Sequence, residues 1–524
     1  MMNHIRSAKL LLLGYSCLLS GCSTSTDTAS AQAPTGAPQP GAGTLSRTVS
    51  LRDLIGQGLE FNLDIKSARL EPLIAAQEVR KERAAFEPAL QAATGTAYTK
   101  RPLNTRELLA TGLPGTAGRD FNDGTADYSL GIVGKLSAGT QYDLSFKGNR
   151  YRNDLNENSL TSPFYPEYDS FAGLTLTQPL FRGAGVAVNM APVNIAKASE
   201  RIAVIQRSRK AEEIALDISI RYCDLSFAVG EIKVRTEAVR LAAALAADHQ
   251  RRLEQGVGSN VEILEAQSAA ASRTDELEVS VTRLLEVQAE LCKLIGASND
   301  ASPDTMVPSS TGFLFDPPSD RAGLISSALR NRLDYRQARI GIEKQHIQIR
   351  YAQNQQWPQL DLKASCGVLG LDSSVGRAVA RASSGNNPFW SVGLTLTIPL
   401  GGSEADSQVK AANLKNAQAL MELQKIEQGI VIDIDSQLRI LQVHRRRITS
   451  ARAALELSRQ RLDAEGQKME KGTTTGFAML EAQKDLTAAR TQELSAIADF
   501  NRSAAKLAYQ KGTLLQDVGF HVTE

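Results

Sequence analysis

The chain has 524 residues, 59 Lys and Arg against 57 Asp and Glu, a formal charge of +2 and 5% aromatic residues. Near-neutrality, with the basic residues spread along helical stretches, excludes the clustered cationic face that nucleic acid requires. Beyond the first few tens of residues there is no apolar run of about 18 or more, which excludes a bundle of transmembrane helices.

Lys9 and Arg6 flank the start of an apolar stretch, Leu10-Leu11-Leu12-Leu13, that closes on Leu19-Ser20-Gly21-Cys22. A basic start, a short apolar core and small residues before a cleavage point predict a secretion signal over residues 1–21. The Leu-Ser-Gly-Cys ending looks like a bacterial lipobox, with Cys22 as the lipidated first residue of the mature chain; an ordinary signal with an incidental cysteine is the alternative. Ser23 follows where an Asp would suggest inner-membrane retention, which favours the outer membrane. Each buried acyl methylene anchors by about 0.8 kcal/mol. Residues 22–48, mostly Ser, Thr, Ala, Pro and Gly, read as a flexible tether.

From residue 49 the chain is a duplication, which is architectural information. Asn62-Leu63-Asp64, Ala68-Arg69 and Pro88 recur 270 residues on as Arg332-Leu333-Asp334, Ala338-Arg339 and Pro358. Gly173-Leu174-Thr175-Leu176-Thr177 recurs after 220 as Gly393-Leu394-Thr395-Leu396-Thr397, and Leu264-Glu265-Ala266-Gln267 after 216 as Leu480-Glu481-Ala482-Gln483. The expected division is a first repeat over 49–300, a proline-bearing linker over 301–320, a second repeat over 321–516 and a tail over 517–524.

The strand pattern comes next. Leu174, Leu176 and Leu180 alternate with Thr175 and Thr177; Val392, Leu394, Leu396, Ile398 and Leu400 alternate with Thr395 and Thr397. A period of two puts aliphatics on one face and hydroxyls on the other. That face could meet a soluble core or, in an outer-membrane barrel, lipid; export, lipidation and the long helices favour the barrel. Partner strands are expected near 89–100 and 359–370. The first repeat spends 91 residues between Pro88 and Pro179, the second 41 between Pro358 and Pro399. The excess, including Tyr128 to Leu136 and Tyr142 to Phe146, looks like an added hairpin that either extends an external loop or adds two strands to the wall. Four or six strands are too few for a barrel of about eight or more, and open edges are prohibitive in lipid, so several chains must share one barrel.

The helices are very long. No proline lies between Pro192 and Pro303 or after Pro399. Ile434, Leu441, Ile448, Leu455, Leu462 and Met469 fall on a seven-residue step, as do Ile263, Ala270, Leu277, Leu284 and Leu291, the signature of a coiled-coil seam. A single helix over 193–255 would be about 95 Å long. Each long helix doubles back at a glycine turn, Gly256-Val257-Gly258 and Gly472-Thr473-Thr474. Cys223 and Cys292 fall level on the first hairpin, which leaves two readings: a periplasmic disulfide, or two small buried apolar residues.

A lipobox followed by two copies of helix, strand pair and long helical hairpin resembles the TolC-like outer membrane efflux protein family over roughly Val49 to Gln516. The most specific parts are Leu51 to Asp64, the strand ending Leu176-Thr177-Gln178-Pro179-Leu180-Phe181, and the two turns ending Leu-Glu-Ala-Gln. The resemblance implies an α+β membrane protein: a homotrimer sharing a twelve-stranded outer-membrane β-barrel, continued by a periplasmic α-helical coiled-coil tunnel and built from two tandem repeats. It implies docking of a periplasmic adaptor protein, linked to an inner-membrane pump, at Gly256, Val257, Gly258, Gly472, Thr473 and Thr474. It implies closure of the tunnel by inward acidic side chains, of which Glu481 occupies one position while the other falls on Ala478. Glu262 and Glu265 stand at the corresponding places in the first repeat.

No catalytic constellation competes. His249, His346, His444 and His521 are scattered without metal-ligand spacing, and Gly183-Ala184-Gly185 lacks the Lys and Ser/Thr of a phosphate loop. The expected function is a passive exit duct in the outer membrane, with no cofactor, metal or nucleic acid. A type I protein secretion channel and a pore-free periplasmic scaffold lipoprotein are the alternatives.

Overall fold

The protein, seen in a computed structural model, is described over residues 47–105, 120–154, 156–157, 162–256, 259–296, 306–309, 312, 314 and 320–520. The secretion signal and Cys22 lie outside these residues. In chain order, β1 (Arg47–Val49) leads to α1 (Leu51–Phe61), α2 (Leu63–Ala68) and α3 (Leu70–Ala84). Four strands follow: β2 (Ala89–Pro102), β3 (Asp120–Lys135), β4 (Gln141–Asn153) and β5 (Glu167–Pro179). The chain then forms α4 (Val186–Asn189), α5 (Ala191–Glu254), α6 (Asn260–Ile295) and β6 (Met306–Pro308). The second half runs α7 (Arg321–Asn331), α8 (Leu333–Gln355), β7 (Gln359–Asp372), α9 (Val375–Ser383), β8 (Pro388–Thr397), α10 (Ser403–Glu470), α11 (Gly476–Gln510) and α12 (Leu514–Asp517).

The joint between α1 and α2 shows how a local residue sets a break. Asn62 leaves helical geometry with ψ 130°. Its Oδ1 accepts from the N–H groups of Asp64 and Ile65 at 2.9 and 3.2 Å, and its Nδ2 donates to the Leu294 carbonyl at 2.8 Å. A short amide side chain that captures backbone donors competes with helix continuation. Its counterpart Arg332 has ψ 126° and no side-chain cap; its guanidinium instead binds Asp334 at 2.7 Å and Asp433 at 3.2 Å. One bend is built twice with different chemistry.

The strands form one six-stranded antiparallel sheet in the order β2-β3-β4-β5-β7-β8. The extra length of the first half is therefore part of the sheet: β3 and β4 stand between β2 and β5. Their turn is pinned at the edge nearest the helices, where Gly185 N–H donates to the Ala138 carbonyl at 3.1 Å. Gly139, at φ 98°, is required there, since a Cβ would sit 2.6 Å from the Gly183 carbonyl oxygen. Leu180, Ile398 and Leu400 lie just beyond the strand ends.

α5 and α10 contain 64 and 68 residues, roughly 96 and 102 Å at 1.5 Å per residue. Near the sheet, α3, α5, α8 and α10 lie side by side; farther away the order is α6, α5, α11, α10. Ile434, Leu441, Ile448 and Met469 of the heptad are buried, as are Ile263, Leu284 and Leu291, while Leu455, Leu462, Ala270 and Leu277 are half-buried. The densest core forms a waist about halfway along α5, where Leu54, Ile55, Ile218, Tyr222, Leu225, Leu291, Leu514 and Leu515 enclose one another. The parallel pair β1–β6 adjoins it, so part of the expected linker is ordered strand.

The disulfide reading is corrected. Cys223 is buried and Cys292 half-buried, and both are free thiols. The helices bring them level, but Cys223 turns toward the seam with α11, where Arg502 acts on it, and burial pushes its thiol up to about 12. A thiol held protonated is a poor partner for exchange.

Candidate functional site

The sheet has two chemically distinct faces. Strand pairing aligns Leu90, Ile132, Leu144, Leu174, Cys366 and Trp390 in one row across all six strands. The next row on that face is Ala92, Leu130, Phe146, Ala172, Val368 and Pro388. On the opposite face Asp143, Thr175, Ser365 and Ser391 align, continuing through Val133 and Ala89, with Thr175 and Ser365 hydroxyls 3.0 Å apart. Alternation of period two produces this automatically when the register is in phase. The outer strands β2 and β8 are the edges of the sheet, and their residues are almost all exposed. Such a ribbon can face hydrocarbon on one side and water on the other once its edges are paired.

At the far end of the helices, α5 ends at Glu254 and Gly256 takes φ 77°. Ser259 opens α6 by accepting from Val261 N–H at 3.2 Å. Val257 and Gly258 lie outside the described residues. In the second turn Gly472 takes φ 69°, Thr473 N–H donates to the Lys468 carbonyl at 2.9 Å, and the Thr474 hydroxyl donates to Glu465 at 2.7 Å. Thr475 then caps α11 through Ala478 N–H. Space around both glycines is open, so positive φ, not crowding, is what demands glycine.

The three acidic candidates sit close to these turns. Glu481 is half-exposed and 4.0 Å from Lys484. Glu262 lies 3.8 Å from Nδ1 of His249. Glu265 is exposed. Sequence reasoning missed what lies between them. His249 is only 4% exposed and its Nε2 has no hydrogen-bond partner among the described residues. Arg273 is 8% exposed and donates to the Leu480 carbonyl at 3.4 Å. Burial draws its guanidinium below the ordinary arginine range, opposed by the charges of Glu276 and Glu481. The signal was present: Ala238, Ala242, Leu245 and His249 step by four, three and four along one buried stripe.

Among the described residues no helix is long and apolar enough to cross a membrane, and no group of three His, Cys, Asp or Glu is placed to hold a metal ion.

Known proteins share this architecture. The family model described as outer membrane efflux protein matches residues 139–297 and 324–512. The outer membrane protein TolC of Escherichia coli (strain K12) is 25% identical over 375 residues, which cover 70% of this chain and 71% of that protein. Among solved structures, the outer-membrane channel OprN superposes with a TM-score of 0.65 at 15% identity, covering 88% of this chain and 89% of that one. The CmeC outer membrane channel of Campylobacter jejuni gives 0.64 at 14% identity, covering 88% and 86%.

Proposed function

The chain belongs to the outer membrane efflux protein family, and from that premise we propose that it is the passive exit duct of a tripartite efflux system. Small molecules would enter from a periplasmic adaptor and an inner-membrane pump, traverse the helical section and leave through the outer membrane. The observation that carries this reading is the pair of apolar rows that crosses all six strands of a sheet whose outer strands, β2 and β8, each have one unpaired edge. In lipid an unpaired strand edge costs several kcal/mol per exposed backbone group. A homotrimer in which β8 of one copy pairs with β2 of the next removes every edge.

In this reading residues 49–300 and 321–516 are the two tandem repeats, joined by 301–320, and Cys22 carries the lipid that tethers the mature chain to the membrane. Gly256, Val257, Gly258, Gly472, Thr473 and Thr474 form the adaptor-docking tip. Glu481, with Glu262 and Glu265, narrows the duct there: carboxylates brought together around a three-fold axis repel one another and attract cations. No step requires bond chemistry from this chain; the work is done by the pump.

The test is conductance of the purified full-length protein in planar bilayers. A trimer that conducts, and conducts more after Glu481→Ala, is the expected result. A trimer that stays closed to ions even with Glu481→Ala would identify a scaffold instead of a duct.

A further inference from the structure

We propose that the β3–β4 hairpin is lipid-facing wall, so that three copies of this chain close an eighteen-stranded barrel in place of the twelve strands that four per copy would give. This rests on the duct reading above.

Three observations carry it. The first is phase. Ile132 and Leu144 lie in the same cross-strand row as Leu90 and Leu174, and Leu130 and Phe146 continue the neighbouring apolar row. Asp143 and Lys147 fall on the other face, level with Thr175 and Phe171. A slip of one residue at either junction would carry Asp143 and Lys147 to the leucine side. A hairpin destined for water outside the cell has no physical need to preserve that phase against both neighbours.

The second is height. The turn between β3 and β4 sits beside Gly183 and Gly185, at the helix-proximal edge of the sheet, and β3 pairs along the whole of β2. An external loop would start from the opposite edge. Ile132 and Leu144 are left 44% and 53% exposed, a surface that acyl chains cover at no cost and water does not.

The third is perimeter. Six strands spaced about 4.8 Å and tilted about 40° span roughly 38 Å of circumference, whereas four span roughly 25 Å. The four helices α3, α5, α8 and α10 that abut the sheet, at 8–10 Å apart, span roughly 32–40 Å. On these general spacings six strands match the perimeter of the four helices more closely than four do. The membrane section is then not the narrowest part of the path, and the size limit on cargo falls at the helical tip.

The test is site-directed nitroxide labelling of the full-length trimer in liposomes, in a Cys223→Ala, Cys292→Ala, Cys366→Ala background that removes the three free thiols. Single cysteines are placed at Ile132 and Leu144 (apolar row), at Ser129 and Lys147 (opposite face), and at Leu396 and Thr395 in β8 as reference. Collision rates with oxygen and with a water-soluble nickel reagent are compared. The proposal expects labels at 132 and 144 to favour oxygen several-fold over those at 129 and 147, matching the contrast between 396 and 395. Labels at all four hairpin sites that favour nickel, with the contrast in β8 intact, would overturn the eighteen-stranded wall and leave the duct. Loss of the contrast in β8 as well would overturn both.

Discussion

The waist and the tip of the same long helices are packed with different chemistry. At the waist, roughly 48 Å from the tip along α5 at 1.5 Å per residue, Ile218, Tyr222, Leu225 and Leu291 are fully buried and two short helices and a strand pair close around them. At the tip, apolar residues such as Ile263 and Met469 share the buried seam with His249 and Arg273, polar groups beside half-exposed carboxylates. Apolar packing is close to bistable only when several contacts break together, whereas polar groups in a seam gain little net energy from burial and can exchange it for hydration. In the proposed duct, the waist is the part that holds its shape and the tip the part that can change it.

That contrast can be broken in a graded way. Leu291→Ala, at a site with no exposure, should cost about 2–5 kcal/mol, read as a lower thermal or denaturant midpoint without a change in the conductance of surviving trimers. A midpoint within error of wild type would mean the waist is not the stabilising core.

A pH-dependent test follows from Glu212 on α5, whose carboxyl is raised to about 7 by burial and by the charge of Asp334. Its folded value exceeds its unfolded one, so the stability it contributes is complete below about pH 4.5 and is lost as pH rises through about 7. At 1.36 kcal/mol per unit, Glu212→Gln should stabilise the protein by about 3 kcal/mol at pH 8. It should leave stability unchanged near pH 4. Equal effects at both pH values would remove the assignment.

At the tip, Gly472→Ala forces an L-residue into φ 69° and should cost about 1–2 kcal/mol. On the proposed docking role of this turn, the larger expected readout is loss of efflux in cells with the isolated trimer still conducting. Smallest in stability is Arg273→Met. Exchange of a buried cation for a side chain of similar volume is close to neutral, within about 1 kcal/mol, yet release of the Leu480 carbonyl should raise the resting conductance. A stability loss as large as that of Leu291→Ala would show the tip to be a packed core after all.

Much of this architecture is readable along the chain. The recurrence of Leu174 to Thr177 at Leu394 to Thr397, the seven-residue step from Ile434 to Met469, and Gly256 and Gly472 at the turns encode strands, seams and reversals, because each depends on periodicity or on one residue's backbone freedom. Tertiary structure alone decided the rest. Whether residues 120–153 joined the sheet depended on cross-strand pairing with β2 and β5, segments outside the hairpin itself. That Cys223 and Cys292 stay free thiols, with Cys223 buried near Arg502 of α11, was likewise set by how the helices pack. The raised carboxyl of Glu212 required burial between packed elements and, second to that, the charge of Asp334 from the other half of the chain. Local rules fix which way a side chain points along its own element; which neighbour it then meets is a long-range property, set only when the elements pack.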